Sequence, residues 1–321
     1  MAPPRPVLVL IDGYDTISRS YFAPTRLSTT RGQPTNAVYI FVQTLRKLLR
    51  EQRPELMAVA LDAGAPSARS DLFEEYKANR APMPAELTAQ VPWIRQIIAA
   101  YRIPIVEELR YEADDVLGTL ACKGADAGYD VIVVSADKDL MQLVRPGVSF
   151  FHVIKEKLYG AEEVEQDYGV PPEKVPDYLA LVGDTVDNIP GVPGIGKVGA
   201  KNLIKQFGSI EELVARIDEA PNKLRETLRA HAASLKLSKQ LTTLHCDLPI
   251  PFEPEKLRHE RPDPVALRRL FTELEFFSLA EELEPTSVAA GEELTPAAEV
   301  ESAGAWRAAA AALGGTVHVA L

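Results

Sequence analysis

The chain repeatedly places acidic residues directly after short apolar runs, and few folds accommodate that pattern. PVLVLI precedes Asp12, LMAVAL precedes Asp62, and DVIVV precedes the segment SADKD at 135–139. Runs of this length and composition are typical of buried strands. In an open parallel sheet, ligands bind at the edge formed by the carboxyl ends of the strands. We therefore expect these acids to converge at one edge of one sheet.

Nine carboxylates in five clusters form the candidate metal site: Asp12, Asp62, Glu112, Asp114, Asp115, Asp137, Asp139, Asp184 and Asp187. Any single one could be an ordinary turn or helix cap, but three strand-end placements together are harder to explain that way. Packed like charges need a compensating cation, or their pKa values rise until they are neutralised. Oxygen ligands without nearby His or Cys suit Mg²⁺ or Mn²⁺, so the sequence predicts two or more divalent ions.

The periodicity predicts an α/β fold with a central, mostly parallel sheet flanked by helices. Strands are expected at 6–11, 56–61, 103–107, 130–135 and 147–153, and helices at 36–52, 86–101, 113–127 and 136–143. From about 162 the pattern becomes helical, with segments at 162–168, 174–181, 198–206, 209–217, 222–232, 234–240 and 264–274. We predict a core at 1–160, a helical domain at 161–282, a linker at 283–304 and the start of a further domain at 305–321.

Composition limits the class of protein. The formal net charge of −11 argues against a nucleic-acid partner unless a local basic patch exists, because binding depends on local charge. The two cysteines, Cys122 and Cys246, give no disulfide framework, which suits a reducing cytoplasm. No apolar stretch is long enough to span a membrane, and the N-terminus does not resemble a signal peptide.

Four cations, Arg19, Arg69, Lys77 and Arg80, accompany the acids, and Tyr76 stands beside Lys77. Most of these residues lie in the polar segment 65–84, called the arm below, which we predict to cover the site. A cation there could neutralise a scissile phosphate, and Tyr76 could stack on a base. The alternative is an ordinary solvated charged loop.

The segment GVPGIGKVGAKNLIKQFG predicts a phosphate-binding hairpin. Gly191, Gly194 and Gly196 would let backbone N–H groups approach a phosphate, and a helix follows. Lys197, Lys201 and Lys205 recur on one face of that helix and would hold a duplex backbone without reading its sequence. A hairpin used only for packing is the alternative. A nucleotide phosphate loop is excluded, because Val198 follows Lys197 where Ser or Thr is required.

Over residues 6–282 the chain resembles the 5′-nuclease (flap endonuclease) family, and is most similar to the branch at the N-terminus of bacterial family A DNA polymerases. The resemblance rests on six segments in order: LIDG at 10–13, RGQPTNAVYIF at 31–41, EEYKANRAPMP at 74–84, YEADDVLGTLA at 111–121, SADKDLMQLV at 135–144 and GDTVDNIPGVPGIG at 183–196.

The resemblance implies a PIN-like core, a helical arch at about 64–100 and a helix-three-turn-helix element. It implies a Mg²⁺-dependent 5′→3′ exonuclease and flap endonuclease that acts in replication and repair on DNA with a 5′ flap, nick or RNA primer. The nine acids would hold the metals, and Asp184 with Asp187 would form the outer position. Arg19, Arg69, Tyr76, Lys77 and Arg80 would contact the reactive phosphate. The glycine hairpin would hold duplex DNA, with K⁺ on its carbonyls, and the enzyme would be a cytoplasmic monomer of the bacterial nucleoid.

The chain departs from the family pattern at several positions. SARSD at 67–71 stands where TFRHE is common, so Ala68 replaces an aromatic residue and Ser70 a histidine. Gly199 replaces a threonine, and Asp15 adds an acid near Asp12. None of these removes a predicted metal ligand. The competing hypotheses are a PIN-like ribonuclease, which would lack the arch and long glycine hairpin, and a non-catalytic DNA-binding module, which would have lost the acids.

Overall fold

The computed structural model describes residues 5–64 and 67–283, and the part up to Glu282 forms one compact unit. Its sheet has the strand order β3-β2-β1-β4-β5-β6. The strands are β1 Val7–Asp12, β2 Leu56–Ala60, β3 Ile105–Val106, β4 Asp130–Ser135, β5 Val148–His152 and β6 Lys157–Tyr159. The first five are parallel and β6 runs antiparallel to β5. The predicted α/β class is therefore confirmed, although β6 was not predicted.

The helices of the first half are α1 Gly13–Phe22, α2 Asn36–Gln52, α3 Ala68–Leu72, α4 Ala85–Thr88, α5 Val91–Ala100 and α6 Ala113–Asp126. Helix α1 was not predicted. It begins at Gly13, where an added Cβ would lie 2.7 Å from Ala60 O, so only glycine lets it start this close to β2. The helix predicted at 86–101 is divided into α4 and α5. The helix predicted at 136–143 is a 3₁₀ helix, Lys138–Leu143, which Asp137 caps.

The second half is helical, as predicted. Its helices are α7 Ala161–Tyr168, α8 Val175–Val182, α9 Lys197–Phe207, α10 Ile210–Ala215, α11 Asn222–Ala230, α12 Ala232–Thr242, α13 Pro254–Leu257, α14 Pro264–Glu273 and α15 Phe277–Glu281. The short helices α13 and α15 were not predicted. Helix α8 packs between α9 and α12, and the loop 183–196 between α8 and α9 is called the hairpin below.

Residues 241–250, called the strap below, return from α12 along the length of α6. His245 N donates to Asp115 Oδ1 at 2.9 Å. Farther along α6, Lys123 Nζ donates to Leu248 O at 2.9 Å and to Ile250 O at 2.5 Å. The strap therefore ties the helical half to the helix that carries the YEADD acids.

The predicted linker at 283–304 and the predicted further domain at 305–321 lie outside the described residues, apart from residue 283. Within the described ranges, no helix is both long and apolar enough to cross a bilayer.

Candidate active site

The ends of β1, β2 and β4 place acids at one sheet edge, as predicted. Asp12 ends β1 and caps α1, where its Oδ1 accepts from Asp15 N at 3.2 Å. Asp62 follows β2 and accepts from Ala113 N at 2.7 Å, which places it at the start of α6. The first turn of α6 carries Asp114 beside these strand ends.

Four acids of the site are called the inner acids below: Asp12, Asp114, Asp137 and Asp139. Burial and repulsion from Asp15 raise the pKa of Asp12 from 3.8 to about 7. Burial and the charges of Asp12 and Asp137 raise the pKa of Asp114 well above its ordinary value. Burial and Asp137 do the same to the pKa of Asp139. These shifts show a crowded, desolvated group of carboxylates that resist simultaneous ionisation.

The inner acids lack cationic partners. Among residues 5–64 and 67–283, no Lys or Arg forms an ion pair with any of them. Asp139 Oδ1 is buried and accepts no hydrogen bond from the described part of the chain. Buried carboxylate oxygens without donors are the ligands that a hard divalent cation requires.

Three other acids, Glu112, Asp184 and Asp187, carry their own cations and are called the paired acids below. Lys77 Nζ lies 2.8 Å from Glu112 Oε2, and Tyr76 OH donates to the same oxygen at 3.1 Å. Burial would raise the pKa of Glu112, but the charges of Lys77 and Arg69 outweigh it and hold the pKa below its ordinary value.

The outer pair of acids is held in the same way. Arg80 Nη2 donates to Asp187 Oδ1 at 2.6 Å. Lys138 Nζ donates to Asp184 Oδ2 at 3.0 Å. Burial of Asp184 is outweighed by Lys138, so its pKa is lowered. The arm thus lies against the site, as predicted, and Lys77 and Arg80 face acids in the structure. Lys138 was not predicted, although its place within SADKD could have indicated it.

The structure places Arg69 inside the protein, and its contact with a phosphate stays a prediction. This side chain is buried, and its guanidinium donates to both oxygens of Asp115, at 2.6 and 2.8 Å. Its Nε donates to Leu241 O at 2.9 Å, and its Nη2 donates to Thr243 O at 2.9 Å. Every nitrogen of Arg69 is therefore engaged within the protein, and it joins α6 to the strap. Whether Asp115 also binds a metal stays a prediction.

Asp15 and Ser135 belong to the site but were not among its predicted residues. Ser135 Oγ lies 2.8 Å from Asp12 Oδ2 and 3.2 Å from Asp15 Oδ2. Asp15 Oδ2 also accepts from Ala136 N at 2.7 Å, and Asp15 Oδ1 accepts from Arg19 Nε at 3.1 Å. Asp15 therefore bridges α1 and the end of β4, and it orients Arg19. The added acid was visible in the sequence, but its partners on β4 were not.

The donor set fits divalent cations, since it consists of carboxylates held at one sheet edge. As placed, no three His, Cys, Asp or Glu side chains of the described residues converge tightly enough to hold one ion together. The inner acids nevertheless lie close enough to raise one another's pKa values. The residues thus form a site whose carboxylates approach one another without chelating geometry.

The hairpin glycines have two different roles. A Cβ at Gly191 would lie 2.3 Å from Val182 O, so Gly191 is required for close backbone packing against α8. Gly194, with φ of 79°, and Gly196 are exposed, and a Cβ at either would meet no described atom within 4 Å. Lys197 and Lys205 are exposed on α9, whereas Lys201 packs along Gly169. The open surface here therefore consists of Gly194 and Gly196 of the hairpin, together with the first turn of α9.

Two family models divide the chain between them. The 5′-3′ exonuclease N-terminal resolvase-like domain matches residues 7–169, and the 5′-3′ exonuclease C-terminal SAM fold matches residues 170–265. The chain belongs to the 5′-3′ exonuclease family. Its arrangement of a resolvase-like sheet domain followed by a helical domain is the one that this family shares.

Curated relatives agree. The chain is 40% identical over 277 residues to a 5′-3′ exonuclease of Aquifex aeolicus, covering 86% of this chain and 95% of that protein. It is 41% identical over 282 residues to DNA polymerase I of Caldicellulosiruptor bescii, covering 86% of this chain and 33% of the polymerase. The chain thus spans about a third of the length of its polymerase relatives.

Solved structures share the fold at low sequence identity. T5 5′-exonuclease with bound zinc has a TM-score of 0.62 at 21% identity, over 86% of this chain and 98% of that one. The catalytic core of Rad2 in complex with a DNA substrate has a TM-score of 0.58 at 13% identity, over 87% of this chain and 91% of that one. The predicted family and fold are therefore confirmed.

Proposed function

We propose that the chain is a metal-dependent, structure-selective 5′ nuclease that hydrolyses phosphodiester bonds in DNA with 5′ flaps, nicks or RNA primers. The observation that carries this proposal is the group of four inner acids, of which Asp12 is buried and the other three are partly buried, at a strand-end edge without cationic partners in the described part of the chain. Such a group suits Mg²⁺ or Mn²⁺. Family membership and the bound zinc of the T5 neighbour support a divalent ion.

In the proposed mechanism, Asp12, Asp114, Asp137 and Asp139 would hold two or more ions, and Asp62, Asp115, Asp184 and Asp187 would complete the set with Glu112. When bound, the ions supply a nucleophilic water near neutral pH and stabilise the leaving oxygen. Lys77 and Arg80 are suited to bind the scissile phosphate once they leave Glu112 and Asp187. Tyr76 is buried against Glu112 and would stack on the terminal base only after moving away with Lys77 and Arg80, and Arg19 would contact the phosphate from α1.

The hairpin would hold the duplex part of the substrate. Exposed Gly194 and Gly196 leave backbone N–H groups accessible before α9, and Lys197 extends from its first turn. We also propose that Lys201 contacts a phosphate, that Gly191 supports the turn and that K⁺ binds at the hairpin carbonyls. A monomeric state, a cytoplasmic location and the division at 160/161 are proposals as well. We further propose that the chain is the N-terminal part of a DNA polymerase I, as the names of its relatives suggest.

The direct test is cleavage of a 5′-flap DNA labelled at its 5′ end, with magnesium titrated against a chelator. We expect cleavage that requires the ion and falls about 100- to 1000-fold in Asp12→Asn. The matched control is Asp126→Asn, an exposed acid of α6 paired with Arg145, which should cleave like wild type. Magnesium-independent cleavage, or an active Asp12→Asn, would refute the metal mechanism. Preference for single-stranded RNA would favour the PIN-like ribonuclease instead.

The duplex grip is tested separately by measuring affinity for uncut duplex DNA at several salt concentrations. Replacing Lys197 and Lys201 together by Ala should reduce the slope of log affinity against log salt by roughly one per lost phosphate contact. Replacing the exposed Lys223 of α11 and Lys236 of α12 together by Ala serves as a control that removes the same charge. An unchanged slope would mean that the hairpin only packs.

A further inference from the structure

The two cysteines, distant in sequence, meet where the strap crosses α6. A Cβ added at Gly118 would lie 2.8 Å from His245 O and 3.5 Å from Cys246 Sγ, so the strap rests directly on this face of α6. Cys122 lies one helical turn after Gly118, on the same face. Its thiol therefore neighbours that of Cys246, and both residues are partly exposed. The fold thus creates a dithiol from an unrelated pair of sequence positions.

The surroundings favour a reactive thiolate at Cys122. Interaction with the neighbouring Cys246 thiol, together with the charge of Arg145, lowers the pKa of Cys122 to about 7, against the effect of burial. Arg145 is fixed there, because its Nη2 donates to Cys122 O at 3.0 Å and to Asp126 Oδ1 at 2.7 Å. The neighbouring Cys122 and burial raise the pKa of Cys246, so it remains the protonated partner. An attacking thiolate beside a neutral thiol is the arrangement of reactive dithiols.

We propose that Cys122 and Cys246 form a reversible oxidation site that closes to a disulfide on reaction with hydroperoxides. The Cys122 thiolate attacks one peroxide oxygen, the O–O bond breaks, and protonation releases water and leaves a sulfenic acid. Cys246 then attacks the Cys122 sulfur and expels a second water molecule. Two thiols are oxidised to one disulfide while one hydrogen peroxide is reduced to two waters, so the step balances.

Closing this bond would fix the strap to α6. The strap provides Leu241 O and Thr243 O to Arg69, and His245 N to Asp115. Positions 122 and 246 are far apart in the chain, and a cross-link over a long loop restricts the unfolded state strongly. The oxidised protein should therefore melt higher and keep its strap ordered. This inference does not rest on the proposed nuclease activity.

The test oxidises the reduced, purified chain with a small excess of hydrogen peroxide. Intact mass should show the loss of two hydrogen atoms, peptide mapping without reductant should recover a Cys122–Cys246 cross-linked peptide, and dithiothreitol should reverse both changes. The melting temperature should rise by several degrees on oxidation. Cys246→Ser should instead accumulate a sulfenic acid that dimedone traps at Cys122.

Several results would overturn the proposal. These are recovery of two free thiols after peroxide treatment, disulfide-linked dimers as the main product, or over-oxidation without an internal cross-link. Whether the cross-link forms is measured on wild type alone, so a folding defect in Cys122→Ser or Cys246→Ser would not affect that result. The two variants serve only to assign the order of attack. Equal dimedone labelling at both positions in wild type would also contradict the assigned order of attack.

Discussion

The inner acids and the paired acids are carboxylates of one site, yet the pKa shifts of Asp12, Asp114 and Asp139 are opposite in direction to those of Glu112 and Asp184. The first three pKa values are raised, whereas the other two are lowered. Burial opposes ionisation in both groups. The difference comes from the neighbours, because each paired acid faces Lys or Arg and the inner acids face other carboxylates.

This contrast separates two requirements of the site. Ionising the inner acids together is unfavourable without an external cation, so they define where metal should bind. The paired acids are already neutralised by Lys77, Arg80 and Lys138. For Lys77 and Arg80 to reach a phosphate they must leave these acids, which would free Glu112 and Asp187 to support a metal. Substrate and metal binding would then be coupled through the arm.

The largest expected effect is that substitutions in the two groups change the stability of the metal-free protein in opposite directions. Asp139→Asn should reduce flap cleavage about 100- to 1000-fold while leaving the metal-free protein as stable as wild type or more so, because it removes a repelled charge. Glu112→Gln should destabilise the metal-free protein by about 1–3 kcal/mol, because Lys77 loses its partner in a largely buried position. Denaturant unfolding in chelator measures the stability of both variants, and the flap assay measures their cleavage. Equal destabilisation by the two variants would erase the distinction.

A smaller effect concerns pH. Burial and Asp15 raise the pKa of Asp12 from 3.8 to about 7. An acid with a raised folded pKa contributes stability that is complete below its unfolded pKa and is lost as pH rises toward the folded pKa. In chelator, the melting temperature of Asp12→Asn minus that of wild type should therefore increase between about pH 4 and pH 7, then level off.

Magnesium should abolish that difference by stabilising wild type above pH 7. Asp126→Asn provides the control, since its side chain is exposed and paired with Arg145. A difference that stays flat across the range would show that Asp12 is ionised without metal.

The sequence predicted the sheet well because buried parallel strands give dense apolar runs with clear ends. Strand β6 was missed, since its three residues KLY carry little periodic signal. Helix α1 was missed because its start depends on the close approach of Gly13 to Ala60, a contact between distant segments. The 3₁₀ geometry after β4 depends on capping by Asp137 and is not visible in spacing.

The site was predictable in composition but not in pairing. Residue type and strand-end position sufficed to propose the acids and the arm cations. They could not show that Arg69 is enclosed by Asp115 and strap carbonyls, because the strap is more than a hundred residues away along the chain. Nor could they separate Gly191, which packs against Val182, from the exposed Gly194. Contacts between distant segments assign different roles to identical residue types.

A more modest effect is expected where the arm meets the hairpin. Asn188 Nδ2 donates to Glu75 O at 2.7 Å, and Asn188 Oδ1 accepts from Asn79 Nδ2 at 2.9 Å. Removing two exposed hydrogen bonds should loosen the arm by about 1–2 kcal/mol. Asn188→Gly is the suitable variant, because the residue has a φ of 57° that glycine adopts without strain.

Asn188→Gly should raise KM for flap DNA about tenfold or less with little change in kcat, and it should speed hydrogen exchange at 75–80. Asn222→Ala, at the start of α11, is the matched control. If exchange quickens while KM is unchanged, the docked arm does not contribute to substrate binding. Unchanged exchange would mean that the ion pairs of Lys77 and Arg80 hold the arm alone.

The smallest effect should come from Asp15, which lies at the border of the two groups. It repels Asp12 like an inner acid, yet it is paired with Arg19 like a paired acid. Asp15→Asn keeps an oxygen that can accept from Ala136 N, removes the charge and releases Arg19. Because exposed ion pairs contribute about 0.2–1 kcal/mol, we expect flap cleavage to change no more than about fivefold. In chelator, the pKa of Asp12 should fall, since the nearby charge of Asp15 that raises it is removed. A loss as large as that of Asp139→Asn would instead make Asp15 a metal ligand and move the border between the groups onto α1.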